Sequence, residues 1–135
     1  MPDEIWKSPP LRNGKLFVNV IQHDLGPITK LVPTIKYLRK SGYGEDTRII
    51  YFDDDVLYPN SMVKAFSETE KDSVWATSAF NFVGSEVVGI RSHGSSAAIA
   101  EAYGGVCVTL GMFGDDFFEY VDKIISLTDT IKYTD

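Results

Sequence analysis

The 135 residues carry 44% hydrophobic and 13% aromatic side chains, and 19 acidic residues against 13 basic ones give a formal net charge of −6. This length allows one domain with a core, and the apolar content is too high for a disordered chain. The acidic balance argues against a general nucleic-acid binder. The single cysteine, Cys107, excludes an internal disulfide and a cysteine-based zinc site, and its apolar surroundings predict a buried structural thiol.

The sequence predicts a soluble chain without a membrane segment. No stretch is long and apolar enough to cross a bilayer. The first residues lack the basic and then apolar pattern of a signal peptide. We therefore expect a soluble protein in the cytoplasm of the producing or host cell.

The first half of the sequence predicts a strand, a helix and a second strand. The predicted elements are an irregular arm at 1–15, a strand at 16–21, a helix at 28–40 and a strand at 48–52. Pro33 is awkward inside a helix, so either the helix kinks there or its regular part starts there.

The second half predicts more strands than helices. The predicted elements are a helix at 59–70, strands at 74–82 and 86–91 joined by a turn at Gly84-Ser85, a polar loop at 91–96, a strand at 105–110 and a helix at 116–127. Strands that alternate with helices and then cluster predict an α/β domain with a mixed sheet.

Three consecutive carboxylates, Asp53, Asp54 and Asp55, follow the apolar run of the predicted strand at 48–52. Adjacent acids repel one another and are costly to desolvate unless a cation lies there. In an extended segment alternate side chains share a face, so we expect Asp53 and Asp55 to converge while Asp54 points away. Two carboxylates suit Mg²⁺ or Mn²⁺, which complete their shell with substrate phosphates. The alternative is a helix-capping acid with two solvated neighbours.

A second candidate segment is Asp24-Leu25-Gly26-Pro27-Ile28-Thr29-Lys30. Glycine permits close approach of the backbone, a helix N-terminus offers free N–H groups, and Lys30 adds a positive charge. Together these features suit a phosphate or a nucleotide. A capped helix with a surface lysine is the alternative, and the glycine spacing is not that of a Walker loop.

A third candidate segment is Glu101-Ala102-Tyr103-Gly104-Gly105, just before the predicted strand at 105–110. A glycine pair beside an aromatic residue and an acid suits a sugar-binding loop, and a simple turn is the alternative. Asp115 and Asp116 begin the last predicted helix, where acids favour the helix dipole, so a structural role is the strong alternative there. His93 is a candidate third metal ligand, although a histidine in a serine- and glycine-rich loop is more often only exposed.

The three segments, in this order, resemble the GT-A class of nucleotide-sugar glycosyltransferases, in its bacterial and large-algal-virus members. Residues 24–31 are similar to the family's D-x-G-P-x-T-K-L segment, and the three aspartates to its D-x-D strand end. Residues 101–106 are similar to its E-G-[YF]-[GA]-G-V loop, with Ala102 in place of the usual glycine. The likeness covers roughly residues 18–135.

The resemblance implies a GT-A, Rossmann-like mixed sheet flanked by helices and a metal-dependent enzyme that uses Mn²⁺ or Mg²⁺. It would move a sugar from a nucleotide-diphosphate donor, UDP in our expectation, to a glycan or protein-glycan acceptor. The residues implied to bind the donor are Asp24, Lys30, Asp53, Asp54, Tyr103, Gly104 and Gly105. The implied metal ligands are Asp53 and Asp55, with His93 as the added candidate, and the candidate catalytic acids are Glu101, Asp115 and Asp116.

Two features of the family are not found in this sequence: an earlier strand that contacts the nucleobase, and a further acidic pair late in the domain. We therefore expect residues 1–135 to form a single but incomplete GT-A domain. A phosphohydrolase of the haloacid-dehalogenase type is the alternative enzyme, with Asp53 as its nucleophile. Leu57 stands where that family has threonine or valine. A truncated module without turnover is the third possibility.

Overall fold

The structure, a computed structural model, describes residues 18, 20–21, 25–90 and 96–128. The predicted arm at 1–15 lies outside this part of the chain. Of the predicted strand at 16–21, residues 18, 20 and 21 are described, and these three lie outside any strand.

Helices and strands alternate in the first half of the described residues, and four strands then follow in succession. The α-helices are α1 (Val32–Lys40), α2 (Met62–Ser67) and α3 (Asp116–Thr128). The strands are β1 (Arg48–Tyr51), β2 (Trp75–Ala76), β3 (Ala79–Val83), β4 (Glu86–Ile90), β5 (Ile99–Ala100) and β6 (Val106–Thr109). Short 3-10 helices occupy Gly26–Lys30, Ala102–Gly104 and Leu110–Met112. No helix within these ranges has the length and apolarity needed to cross a membrane.

The described strands form two three-stranded antiparallel sheets. The first has the order β1-β6-β2, and the second has the order β4-β3-β5. The general α/β class is confirmed, whereas one mixed sheet was predicted. The prediction rested on strands that alternate with helices, an order that often accompanies parallel pairing, whereas β1 and β6 are antiparallel. Periodicity alone does not distinguish the two pairings.

The first sheet is covered on both faces, and β6 is its buried centre. On one face Val106 and Val108 pack with Ile35 of α1 and Ile49 of β1, and the phenylalanines of α3 lie against this cluster. On the other face Cys107 packs against α2. Cys107 is 3% exposed, and burial raises the pKa of its thiol, so the prediction of a buried structural cysteine is confirmed.

The first predicted helix begins as a 3-10 helix and becomes regular at Val32. Pro33 lies in the first turn of α1, where a missing N–H leaves no bond unmade. Of the two outcomes predicted for Pro33, the one in which the regular helix starts there is correct.

The predicted helix at 59–70 is shorter in the structure, where α2 ends at Ser67. The side chain and the backbone N–H of Thr69 both donate to the carbonyl of Phe66 and close the last turn. The guanidinium of Arg48 then donates to the carbonyl of Thr69, so the chain leaves the helix there.

The predicted strand at 74–82 is divided between the two sheets. β2 pairs with β6, and β3 pairs with β5. Between them the N–H of Thr77 donates to the carbonyl of Gly105 at 3.2 Å, and the N–H of Glu101 donates to the carbonyl of Ser78 at 2.9 Å. The chain therefore changes sheets at Thr77 and Ser78, beside the 101–105 loop.

Candidate functional site

The acidic strand end, which we define as Asp53, Asp54 and Asp55, lies just beyond β1. The strand stops at Tyr51, and residues 54–56 form a bend. Asp53 is half-buried, whereas Asp54 and Asp55 are exposed. The predicted alternation of the three side chains required an extended backbone through the triplet, so that argument does not apply to the bend.

Lys30 forms an ion pair with Asp53, through its Nζ and the carboxylate Oδ1. Lys30 is the last residue of the 3-10 helix that precedes α1, and the packing of α1 on the first sheet brings it to the end of β1. The structure therefore joins the second candidate segment to the acidic strand end. Asp24, the other residue predicted in that segment, lies outside the described residues.

Tyr58 joins the acidic strand end to the 101–105 loop. Its hydroxyl accepts a hydrogen bond from the N–H of Asp53 at 3.0 Å and donates one to the carbonyl of Tyr103. Its ring packs against Phe52, with the ring centroids 5.0 Å apart. Sequence reasoning did not single out Tyr58. The available signal was a hydroxyl-bearing aromatic residue shortly after the acids, directly before Pro59, where the chain turns back.

The 101–105 loop is held by the two residues at which the chain changes sheets. The Ser78 hydroxyl donates to the Glu101 carboxylate, and the Thr77 hydroxyl donates to the carbonyl of Gly104. The Tyr103 hydroxyl lies 3.4 Å from Oε2 of Glu101 and 3.2 Å from Oγ of Ser78. Nothing in the sequence marked Thr77 or Ser78 beyond their hydroxyl groups within a predicted strand.

Both glycines of the loop are required by the geometry. A Cβ on Gly104 would lie 2.5 Å from Oγ1 of Thr77, closer than real Cβ atoms approach, so the Thr77 hydroxyl that bonds the loop would have to shift. Gly105 has φ +94°, a conformation that L side chains rarely adopt. The glycine pair is therefore explained by the shape of the loop, whatever the loop binds.

The register of the first sheet places the loop beside the acidic strand end. Tyr51, the last residue of β1, is opposite Val106, the first residue of β6. Asp53 comes shortly after Tyr51, and Gly105 comes directly before Val106, so both lie beyond the same end of the sheet. The three predicted segments converge there, as far as their residues are described.

Asp115 and Asp116 lie toward the other end of the sheet, where Thr109 is opposite Arg48. A carboxylate oxygen of Asp115 lies 3.8 Å from Arg39 at the end of α1. Arg39 follows Lys30 by nine residues, about 14 Å of helix at the usual rise. The structure does not bring these two acids to the acidic strand end, and Asp116 occupies the first turn of α3, as the structural alternative expected.

The carboxylates of the acidic strand end fit a magnesium or manganese ion only together with another ligand. Among the described residues no three histidine, cysteine or acidic side chains are grouped closely enough to hold a metal ion. His93, the predicted third ligand, lies outside these residues. Carboxylate oxygens are nevertheless the donors that Mg²⁺ and Mn²⁺ prefer, and Mg²⁺ commonly takes one or two of them and completes its shell with phosphates and water.

Comparisons with protein-family models, with curated proteins and with solved structures found no significant match. The functional assignment therefore rests on the contacts described above and on the sequence resemblance.

Proposed function

We propose that this chain forms the donor-binding region of a metal-dependent glycosyltransferase, which moves a sugar from a nucleotide diphosphate, UDP in our proposal, to a hydroxyl of a glycan acceptor. One observation carries the proposal. Three segments far apart in the sequence, each suggested separately as part of a donor site, are joined through the Lys30–Asp53 ion pair and the hydrogen bonds of Tyr58.

The diphosphate would lie at the acidic strand end. Asp53 and Asp55 would hold Mg²⁺ or Mn²⁺, and the ion supplies positive charge to the departing diphosphate. The Lys30 side chain is 37% exposed and pairs with Asp53. Its ammonium group could therefore also donate a hydrogen bond to a phosphate oxygen bound beside Asp53. Without a ligand, Lys30 neutralises part of the charge of the three acids.

The sugar would lie against the 101–105 loop. The Glu101 carboxylate is held by the Ser78 hydroxyl and lies near the Tyr103 hydroxyl. It is therefore in a fixed position to accept a hydrogen bond from a hydroxyl of the sugar or of the glycan acceptor. A carboxylate so placed can take a proton from the attacking hydroxyl as a general base. Glu101 is therefore our candidate for the catalytic base, since Asp115 and Asp116 lie at the other end of the sheet.

Asp55→Ala is the variant that tests the proposal most cleanly, because it removes one carboxylate and leaves the Lys30–Asp53 pair in place. Calorimetric titration of the unaltered chain with UDP should give binding in Mn²⁺ and none in EDTA. We expect Asp55→Ala to weaken the Mn²⁺-dependent affinity by at least about tenfold, since even groups that only support a metal ligand typically contribute 10–100-fold.

Asp122→Asn is the matched control, since Asp122 is an exposed acid on α3 that lies in none of the three segments. Its affinity for UDP should equal that of the unaltered chain. Undiminished Mn²⁺-dependent binding by Asp55→Ala, or equal losses in both variants, would overturn the assignment of the acidic strand end.

A further inference from the structure

The hydroxyl of Tyr58 is held between two parts of the chain that are far apart in sequence. It accepts the Asp53 N–H and donates to the Tyr103 carbonyl, so its donor and one acceptor position are both used. Hydrogen bonds that run in a chain, here N–H to O–H to C=O, polarise and strengthen one another. The acidic strand end and the loop are thus joined through one oxygen atom.

The ring of Tyr58 keeps that oxygen in place. Tyr58 is half-buried and packs against the cluster that Met62, Phe66 and Cys107 form under the sheet. The Phe52 ring lies against its side, with 5.0 Å between the centroids. Because the packed ring limits the movement of the hydroxyl, a change in its hydrogen bond with Asp53 is passed on by polarisation of its hydrogen bond with Tyr103.

The loop is also fastened on its opposite side. The hydroxyls of Thr77 and Ser78 hold Gly104 and Glu101, and both belong to the junction between the two sheets. Within the described residues, Tyr58 supplies the side-chain hydrogen bonds between the loop and the acidic strand end. The loop therefore lies between an anchor at the sheet junction and a second anchor, Tyr58, that is shared with Asp53.

We propose that Tyr58 is a positioning residue that couples the two halves of the donor site, so that a metal-bound diphosphate at the acidic strand end also orders the 101–105 loop. The inference rests on the proposed function for its ligand. A cation at Asp53 competes with Lys30 for the carboxylate, and the resulting change at the Asp53 N–H alters the hydrogen bond between the tyrosine hydroxyl and the Tyr103 carbonyl. The loop would then be set for the sugar once the diphosphate is bound.

Tyr58→Phe tests the coupling first without any ligand. The phenylalanine keeps the ring packing but removes the acceptor of the Asp53 N–H and the donor to the loop. Amide hydrogen exchange followed by NMR should be about tenfold faster at Asp53 and several-fold faster at Gly105, whose N–H is bonded within the loop to Ala102. Val108 in β6 should keep its exchange rate, and Tyr120→Phe, at an exposed tyrosine of α3, should change none of the three.

The second measurement adds UDP and Mg²⁺, because UDP lacks the sugar that would touch the loop directly. In the unaltered chain the amide resonances of Asp53, Tyr103 and Gly105 should all shift, with one apparent affinity. In Tyr58→Phe the shift at Asp53 should remain and the shifts of the loop should be lost. Loop shifts equal to those of the unaltered chain, or an unchanged exchange rate at Asp53, would overturn the coupling. No shift at Asp53 in the unaltered chain would instead overturn the proposed function, while the exchange rates still decide whether Tyr58 joins the two segments.

Discussion

Replacing Ile35 by alanine should lower the free energy of unfolding by about 2–5 kcal/mol, the range for truncating a fully buried isoleucine. Ile35 has no exposed surface and fixes α1 to the first sheet through Ile49 and Val106. β6 is itself buried along its whole length, so little of the cavity can be filled by movement of its neighbours. Urea denaturation followed by circular dichroism measures the loss.

Val63→Ala is the control for Ile35→Ala, because Val63 is 57% exposed on α2. It should change the free energy of unfolding by less than about 1 kcal/mol. Equal losses in the two variants would mean that α1 does not pack on the sheet as described. Because Lys30 lies two residues before the start of α1, Ile35→Ala should also weaken UDP binding, whereas Val63→Ala should not.

Gly105→Ala should destabilise the chain and disorder the 101–105 loop. The backbone conformation at φ +94° costs an L residue about 1–3 kcal/mol. The added Cβ would also lie 3.1 Å from Sδ of Met62, in a buried position where the neighbour must move. Thermal unfolding measures the cost, and UDP titration should show weaker binding in this variant because the loop is one wall of the proposed site.

Gly89→Ala provides the matched control for Gly105→Ala. Gly89 lies in β4, its φ is not positive, and a Cβ there meets nothing within 4 Å. The change in stability should stay within about 0.5 kcal/mol. If the two glycine variants unfolded at the same temperature, the geometry described for Gly105 would be wrong.

Hydrophobic patterning predicted the elements that carry the core. β1, β6 and α3 lie within a residue or so of their predicted bounds, because each is an apolar run or an amphipathic stretch that packs on one centre. The division of 74–82 into β2 and β3 was not predictable, since the break at Thr77 and Ser78 is caused by hydrogen bonds to residues about 25 positions later. Local propensity contains no signal for such partners.

The candidate site shows the same limit. Composition and spacing singled out Lys30, Asp53 and the 101–105 loop one at a time, each with a structural alternative. Their convergence depends on the pairing of β1 with β6, which places Asp53 near residues about 50 positions away in the sequence. Tyr58 was missed for this reason, because its importance lies in the two segments it joins rather than in its own neighbours.

We propose that one metal-dependent diphosphate site lies between Lys30, the acidic strand end and the 101–105 loop. Paramagnetic broadening of amide NMR signals, on adding a small amount of Mn²⁺ together with UDP, tests it directly because the ion broadens the signals nearest to it. We expect the strongest broadening at Asp53 and Asp55 and weaker broadening at Lys30 and Gly105, and none at Asp116, where α3 begins. Broadening centred on Asp116, or spread evenly over the exposed acids of the chain, would contradict it.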